Sequence, residues 1–337
     1  MSPLRQALFA AISLTATGYV SAHAELPEIM VVTSDPQYPW TDVTDEGGDT
    51  DPALAEKLVR EQYESIAAFR QAHPLQHIPV IINGDLTSNG IVFEHQVMHE
   101  LLGILGKNYY LGLGNHDYEN NLTNHGACRF AYCATGSLDL LTRHVKSLGD
   151  RVLAFDLRTR AEGARVVNEG SWAYAFKADG WKDSVHLQLN NAHDYTAEMS
   201  TYGNLLQAKQ YRVTASTQWL LDQSRSAIET GEARFTFIHV HKPEGWDASW
   251  REPERSLAAK AAAAGVKAIF SGHYHKDMGV QFIHMGNGMF MPHFTSGSAS
   301  QRTYLIVEHW RNAGKVKVYG VSENAPSKMR LLHEIDV

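Results

Sequence analysis

Residues 109–117 read YYLGLGNHD, so a mostly apolar run from Tyr109 to Leu113 passes directly into Gly114-Asn115-His116-Asp117. A short, continuous apolar run of this kind is typical of a buried β-strand. Asn, His and Asp are side chains that bind metals or move protons. In open α/β sheets, ligands bind beyond the carboxyl ends of the strands. The nonapeptide therefore predicts a buried strand that carries site residues at its carboxyl end.

Two earlier segments repeat this arrangement of an apolar run followed by polar residues. The run from Ile29 to Thr33 ends in Ser34-Asp35, and the run from Pro79 to Ile82 ends in Asn83-Gly84-Asp85. We expect the polar ends of these strands to lie at the same edge of a sheet.

Helical patterns separate these strands. One helix is predicted from Pro52 to about Gln71, with Asp51 or Thr50 as its N-cap, and another over Phe93 to Leu105. This alternation predicts a layered α/β fold. Further strands are predicted over 171–176, 185–190, 235–241, 267–270, 303–308 and 315–321, and further helices over 216–228 and 254–264. The segment at about 118–170 has poorer periodicity, and we interpret it as an insertion at the rim of the site.

Two later polar clusters contain histidines. His241-Lys242-Pro243 ends one predicted strand, and Gly272-His273-Tyr274-His275 follows another. Isolated charge is costly to bury, and a pair of divalent cations would supply a reason for carboxylates and imidazoles at these positions. Oxygen from Asp, Asn and Gln with nitrogen from His suits Mn, Fe, Zn or Mg ions and not a thiolate site.

In chain order, the five polar clusters resemble the five motifs of the calcineurin-like metallophosphoesterases. The matching residues are Asp35-Pro36-Gln37, Gly84-Asp85, Gly114-Asn115-His116-Asp117, His241-Lys242-Pro243 and Gly272-His273-Tyr274-His275. The resemblance spans residues 29–275. It implies an α/β fold of two packed β-sheets flanked by helices, a four-layer sandwich, in a single domain over 25–337. It also implies a hydrolase that acts on phosphoric ester bonds.

The resemblance further implies a role for each matching residue around two divalent metal ions. The expected ligands of the first metal are Asp35, Gln37, Asp85 and His275. The expected ligands of the second metal are the bridging Asp85 together with Asn115, His241 and His273. His116 would lie beside the metals as a catalytic residue, oriented by Asp117.

The reaction implied by the resemblance is attack of a metal-bound hydroxide on phosphorus. His116 would stabilise the developing charge or protonate the leaving oxygen. The same chemistry hydrolyses phosphomonoesters and phosphodiesters. The stretch from Gly170 to Tyr195 is similar to secreted bacterial members of the family, some of them linked to phospholipid head-group cleavage. The expected substrate is therefore a small organic phosphate or a phospholipid head group.

The first motif departs from the usual pattern of the family. It commonly reads D-x-H, whereas this chain has Gln37 in place of the histidine. Some branches of the family carry Gln here. A Gln carbonyl is a harder and weaker ligand than imidazole, so the first metal would be bound more loosely or without Gln37. The alternative function is a non-catalytic secreted metal-binding or interaction protein on the same scaffold.

Several assignments stay open at the level of the sequence. His239 and His241 lie two residues apart on one strand face, and the H-x-P pattern of the family favours His241. Tyr38 and Trp40 follow the first motif, and Asn191 and His193 follow a predicted strand. All four are candidate substrate contacts at the pocket rim, with loop packing as the alternative.

The first 24 residues predict a secretory signal peptide. Arg5 precedes an apolar stretch from Ala7 to Val20, and Ala22-His23-Ala24 is an A-x-A cleavage site. An N-terminal anchor helix is the alternative, but the stretch is short for a bilayer. The expected location is periplasmic or secreted. There a disulfide between Cys128 and Cys133 is expected, with free thiols or a metal pair as alternatives.

The composition narrows the function classes. The chain has 337 residues, of which 44% are hydrophobic and 20% charged, as in an ordinary globular protein. A net charge of −7 argues against general nucleic-acid binding, which requires a basic surface. The mature chain contains no apolar stretch long enough to span a membrane. The sequence also lacks a P-loop, a G-x-S-x-G elbow and a dinucleotide fingerprint.

Overall fold

A computed structural model describes residues 25–123, 128, 131–201, 208–247, 256–286 and 288–337. The predicted signal peptide, residues 1–24, lies outside these ranges. None of the helices in the described ranges combines the length and the apolar character needed to cross a membrane.

The described residues form strands and helices that alternate in the first half of the chain. In chain order the strands are β1 Glu28–Thr33, β2 Val80–Ile82, β3 Tyr109–Leu111, β4 Val152–Phe155, β5 Arg158–Glu162, β6 Arg165–Gly170, β7 Tyr174–Phe176, β8 Ser184–Gln188, β9 Ala197–Thr201, β10 Ala208–Val213, β11 Phe235–His239, β12 Val266–Ser271, β13 Gly279–Gly286, β14 Met289–Thr295, β15 Tyr304–Trp310, β16 Lys315–Val321 and β17 Arg330–Asp336. The helices are α1 Asp42–Asp45, α2 Pro52–Ala72, α3 Val92–Leu102, α4 Tyr132–Ser147, α5 Thr217–Glu229 and α6 Leu257–Ala263.

Two large sheets organise the chain. The first has six strands in the order β17-β16-β15-β1-β2-β3, and the second has seven in the order β13-β14-β12-β11-β8-β7-β4. In the first sheet β1, β2 and β3 are parallel, with Val31 opposite Val80 and Ile81 opposite Tyr110. In the second, β8, β11, β12 and β14 are parallel. Parallel strands align their carboxyl ends, so each sheet presents one edge at which a site can form.

The two sheets pack face to face between helices. Alternate residues of β11 face opposite ways: Phe237 joins the core that contains Val31 of β1, whereas Ile238 joins a second core with Leu220 of α5 and Ala258 of α6. On the outer side of the first sheet, Gln62 of α2 accepts a hydrogen bond from Thr33. Both faces of the central strands are covered, which explains their continuous apolar runs. The predicted sandwich of two packed sheets flanked by helices is confirmed.

Local signals predicted several elements well. Asp51 caps α2, accepting a hydrogen bond from the Leu54 N–H at 3.0 Å, and Pro52 occupies the first turn. The predicted helix over 93–105 ends as α3 at Leu102 and continues as a 3-10 turn, Gly103–Leu105. The expected disulfide between Cys128 and Cys133 is present.

The segment from 118 to 170 contains more regular structure than its periodicity indicated. It includes α4, whose buried Ala134, Leu138, Leu141 and Val145 follow a spacing of four, three and four residues. That spacing is the helical signal in this segment. Strands β5 and β6 pair with β10 and β9 in a third, four-stranded sheet, in the order β5-β6-β10-β9.

Candidate metal centre

The five polar clusters converge at the carboxyl ends of strands from both large sheets. The first sheet contributes the loops after β1, β2 and β3, which carry Asp35, Asp85 and Asn115. The second contributes the loops after β11 and β12, which carry His241 and His273. The candidate site is therefore a product of the packing of the two sheets.

The backbone at the candidate ligands adopts an unusual conformation. Asp35, Gln37, Asp85 and His273 have φ angles of 52°, 34°, 48° and 72°. Residues other than glycine rarely adopt positive φ, and such positions cluster at functional sites because the surroundings must hold them there. This is an independent structural indication that the three loops that carry these residues serve a site.

Glycines within the motifs permit close approach of the loops. A Cβ atom at Gly114 would lie 2.2 Å from Asp85 Oδ1, and one at Gly272 would lie 1.9 Å from Ser34 Oγ. Any larger residue would push apart the loops that carry the candidate ligands. The glycines of the third and fifth motifs therefore have a steric role.

The candidate ligand atoms of three residues lie close to one another. Among the described residues, Asp85, His241 and His273 offer ligand atoms that all lie within 4.8 Å of one another. His241 Nε2 lies 3.0 Å from Asp85 Oδ2 and 3.1 Å from Asn115 Oδ1. The four residues expected around the second metal thus meet at one point.

The contacts of His241 and His239 distinguish the roles of the two residues. His241 Nδ1 lies 3.0 Å from the Asn83 carbonyl oxygen, which can only accept, so Nδ1 carries a proton and Nε2 is left for the ligand group. His239 is also fully buried, but its Nε2 lies 3.0 Å from His186 Nδ1 and its ring stacks on Phe270. His239 is a core residue.

A second group of side chains lies around Asp35. Asp35 Oδ2 accepts a hydrogen bond from the His273 N–H at 2.9 Å, while Oδ1 accepts none and lies 3.3 Å from His275 Nε2. Gln37 is completely buried, and neither its amide oxygen nor its amide nitrogen has a hydrogen-bond partner among the described residues. An unpartnered buried amide is costly, and a cation beside it would remove that cost for the oxygen. The donor set of Asp35, Gln37 and His275 fits a hard divalent ion.

Charge compensation among the side chains of the site involves the same residues. Although burial opposes the shift, Asp85 and Asp35 raise the pKa of His241 to about 9. Burial also opposes a higher pKa at His275, but Asp35 and Asp45 raise it to about 10. Protonated imidazoles thereby balance the buried carboxylates. Divalent cations would replace those protons as the compensating charge.

Asp45 is a site residue that sequence reasoning missed. It contacts His275 Nδ1 and Trp40 Nε1, and it also accepts hydrogen bonds from Ser300 and Gln301. Against the opposing effect of burial, its hydrogen bond with His275 lowers the pKa of Asp45 to about 2. No local motif marks Asp45, because its main partner is 230 residues away along the chain.

His116 lies at the site as expected, but its orienting partner differs. Its Nδ1 donates to the Ser88 carbonyl oxygen at 3.0 Å, and its ring is edge-on to Trp40 with centroids 5.2 Å apart. Its backbone N–H donates to Asp85 Oδ1 at 2.8 Å. The expectation that Asp117 orients the ring is wrong, because the hydrogen bonds of its carboxylate lead elsewhere.

Asp117 ties together the loops after β2 and β3. Its carboxylate accepts hydrogen bonds from the N–H groups of Leu86, Thr87 and Gly114 and from the Thr87 hydroxyl, at 2.9–3.1 Å. Burial and the neighbouring Asp85 raise the pKa of Asp117 to about 7, against the effect of these donors. The residue therefore holds the backbone that carries Asp85 and Asn115.

An open cavity of about 370 Å³ lies over these residues. Its lining includes Gln37, Asp85, His116 and His275, and Trp40 stands at one side. Trp40 lines this cavity, and its contact with a substrate stays a prediction.

The other three candidate substrate contacts lie away from this lining. Tyr38 is 3% exposed and packs in the core near Phe93. Asn191 is buried and donates to Glu119 at 2.7 Å. His193 contacts Thr217 Oγ1 at 3.0 Å and packs against Trp246. Their expected role at the rim is wrong, because each side chain is occupied by packing or hydrogen bonds inside the fold.

Comparison with known proteins gives one family match. A family model described as calcineurin-like phosphoesterase matches residues 30–277. No curated protein sequence matches the chain.

Solved structures extend the comparison to the fold. Purple acid phosphatase PPD1 from yellow lupin (Lupinus luteus) is similar with a TM-score of 0.51 and 9% identity, over 92% of this chain and 54% of that chain. This chain therefore spans about half the length of the lupin protein. The calcineurin-like phosphoesterase YfkN from Bacillus subtilis matches with a TM-score of 0.40 and 11% identity, over 92% of this chain and 89% of that chain. A 5′-nucleotidase from Candida albicans matches with a TM-score of 0.45 and 15% identity, over 83% and 47% of the two chains.

Proposed function

The chain belongs to the calcineurin-like phosphoesterase family, a family of metal-dependent phosphoester hydrolases with a dinuclear metal centre, and we propose that it hydrolyses small organic phosphate esters outside the cytoplasm. The observation that carries the proposal is the convergence of ligand-type side chains from both sheets on the floor of one open cavity. Divalent cations at this place would compensate the buried carboxylates and would bind the Gln37 amide oxygen.

We assign two groups of ligands to the metal centre. Asp35, Gln37 and His275 would hold one cation, and Asn115, His241 and His273 the other, with Asp85 between them. Support on one side comes from Asp35 Oδ1 and Gln37 Oε1, which accept no hydrogen bond from the described residues. On the other side it comes from the compact group of Asp85, His241 and His273. When bound, two divalent cations lower the pKa of water and neutralise the charge of a phosphoryl group.

His116 is the residue we assign to proton transfer. Its Nδ1 is occupied by the Ser88 carbonyl, so Nε2 is the nitrogen that, in the imidazolium form of the ring, would donate a proton to the leaving oxygen of the ester. The ring lines the cavity and is half-buried, which suits contact with substrate. Asp117 would act indirectly, because it fixes the loops that carry Asp85 and His116.

The substrate class follows from the shape and the lining of the cavity. A volume of about 370 Å³ suits a phosphate group with a small organic substituent, such as a free phosphate ester or a phospholipid head group. The Trp40 indole, held at the side of the cavity, offers an apolar surface for that substituent. Both monoesters and diesters fit this arrangement.

A location outside the cytoplasm is also part of the proposal. It is supported by the signal-peptide pattern of residues 1–24 and by the disulfide between Cys128 and Cys133, since disulfides persist in oxidising compartments. Fractionation of cells that express the full chain, with N-terminal sequencing of the product, would test it. An uncleaved protein in the cytoplasm would contradict this part of the proposal.

The activity is tested with purified protein loaded separately with Mn, Zn, Fe or Mg. Hydrolysis of p-nitrophenyl phosphate is compared with hydrolysis of bis-p-nitrophenyl phosphate, and bound metal is measured by elemental analysis. We expect metal-dependent turnover of at least one ester. Bound metal without turnover of any phosphate ester would instead favour the non-catalytic metal-binding protein.

A further inference from the structure

Asp45 ends the short helix α1 and lines the same cavity as the candidate ligands. Its side chain is only 4% exposed. Each of its oxygens accepts two hydrogen bonds. Oδ1 accepts from Trp40 Nε1 at 2.6 Å and from His275 Nδ1, and Oδ2 accepts from Ser300 Oγ and Gln301 Nε2, both at 2.7 Å.

This pattern of hydrogen bonds excludes Asp45 as a metal ligand. A carboxylate has about four lone-pair sites, and four donors occupy them here. A cation would have to displace donors that come from three separate segments of the chain. The role of Asp45 is therefore to hold other groups in place.

His275 is the first group that Asp45 holds. A carboxylate beside Nδ1 keeps the proton on that nitrogen, so in the neutral ring Nε2 is the nitrogen with a free lone pair. His275 Nε2 lies 3.3 Å from Asp35 Oδ1, on the side where the first cation is assigned. His241 has the equivalent support from a backbone carbonyl, that of Asn83. At His275 the support comes from a side chain, so it can be removed by substitution.

Trp40 is the second group that Asp45 holds. Its indole N–H donates to the same oxygen that contacts His275, and the Trp40 and His275 ring centroids are 5.8 Å apart. The wall of the cavity and a candidate metal ligand therefore share one anchor.

We propose that Asp45 is a positioning residue of the metal centre, which fixes His275 for ligation through Nε2 and Trp40 as a rigid wall of the cavity. Asp45 thereby sets the affinity of the cation assigned to Asp35, Gln37 and His275. The other cation, assigned to Asn115, His241 and His273, does not depend on it. This inference rests on the proposed function, because it takes the metal centre from there.

The test is Asp45→Asn, which preserves size but has a single acceptor oxygen and cannot serve both pairs of donors. Mn²⁺ is titrated into the purified metal-free protein by calorimetry. We expect two binding events in the wild type and a weakening of one of them by about 10–100-fold in the variant. Asp42→Asn is the matched control, since it removes the same charge from an exposed position on the same helix, and both affinities should stay within about twofold.

The outcomes are distinguishable. Two unchanged affinities in Asp45→Asn, or equal weakening of both together with a lower unfolding temperature of the metal-free protein, would overturn the positioning role. Selective weakening of one site in a protein that hydrolyses no phosphate ester would support the role of Asp45 and contradict the proposed activity. A wild-type protein that binds no Mn²⁺ would overturn both proposals.

Discussion

Asp85 Oδ2 and His241 Nε2 lie 3.0 Å apart, although their residues follow strands of different sheets. Asp85 follows β2 of the six-stranded sheet, and His241 follows β11 of the seven-stranded sheet. Both side chains are almost completely buried. The contact joins the carboxyl edges of the two sheets at the point where the cations are assigned. The metal centre and the packing of the sheets therefore depend on each other.

His241→Gln and His239→Gln should affect different properties of the protein. We expect His241→Gln to weaken metal binding by at least about tenfold, because it removes one assigned ligand. His239→Gln should keep the metal and lose about 1–3 kcal/mol of stability, since it breaks the buried pair with His186. Elemental analysis after dialysis and chemical denaturation measure the two effects. Metal loss in His239→Gln with retention in His241→Gln would reverse the assignment.

His116→Ala should reduce turnover by about 10²–10⁴-fold, the usual contribution of a positioned acid. The metal content should stay at the wild-type level, because the ring of His116 donates to the Ser88 carbonyl oxygen and its contact with Asp85 is made by the backbone N–H, which alanine keeps. Steady-state kinetics and elemental analysis on the same preparation measure both quantities. Loss of metal in this variant would show that His116 is a ligand.

Gln37→Leu tests whether Gln37 is a metal ligand or only a packing residue. The buried amide of Gln37 has no hydrogen-bond partner in the part of the chain that the structure describes, so an apolar side chain of similar volume should stabilise the metal-free protein. If the amide oxygen ligates, the same variant should bind metal less tightly, and Gln37→His should change the preference among Mn, Zn and Mg. Thermal unfolding of the metal-free protein and metal titration give the two readouts. Wild-type metal affinities in both variants would count against Gln37 as a ligand.

Asp117→Asn should destabilise the protein even without metal. The carboxylate accepts hydrogen bonds from three backbone N–H groups, and an amide nitrogen in place of one oxygen would face donors. We expect a loss of roughly 2–4 kcal/mol in the free energy of unfolding. Asp42→Asn, on an exposed helix, should change it by less than about 0.5 kcal/mol. A shifted pH–rate profile with unchanged stability would instead indicate a direct role in proton transfer.

His144 should make stability depend on pH. Burial, together with Arg151, lowers its pKa to about 4, and its Nε2 accepts the Leu111 N–H at 3.3 Å, which only a neutral ring can do. The unfolded chain takes up the proton near pH 6.5, so this contribution is complete above that pH and is lost as the pH falls towards 4. The loss between pH 7.5 and pH 5 amounts to about 2 kcal/mol.

His144→Gln does not titrate in this range. The difference in the free energy of unfolding between pH 7.5 and pH 5 should therefore be smaller in the variant by about that amount. Urea denaturation at the two pH values measures it. An identical pH dependence in both proteins would mean that folding does not lower the pKa of His144.

Many of the strands and helices were predicted from local features of the sequence. Apolar runs that end in polar residues located β1, β2 and β3, because a strand buried on both faces must be continuously apolar. Asp51 and Pro52 marked the start of α2 through capping chemistry that acts within one turn. The third sheet was not predicted, since β6 pairs with β10 across about forty residues of chain and pairing across such a distance leaves no local period.

The hydrogen-bond partners of the site residues could not be predicted from the sequence. Three findings depend on where separate loops lie in space. His116 contacts Ser88 and not Asp117, Asp45 contacts His275, and Tyr38 is buried. The sequence by itself determined the chemical types of the candidate ligands and their placement at strand ends, because those features are local. Only the tertiary structure decided which atoms face one another, because the packing of the two sheets brings together residues far apart in the chain, such as Asp35 and His273, which are 238 positions apart.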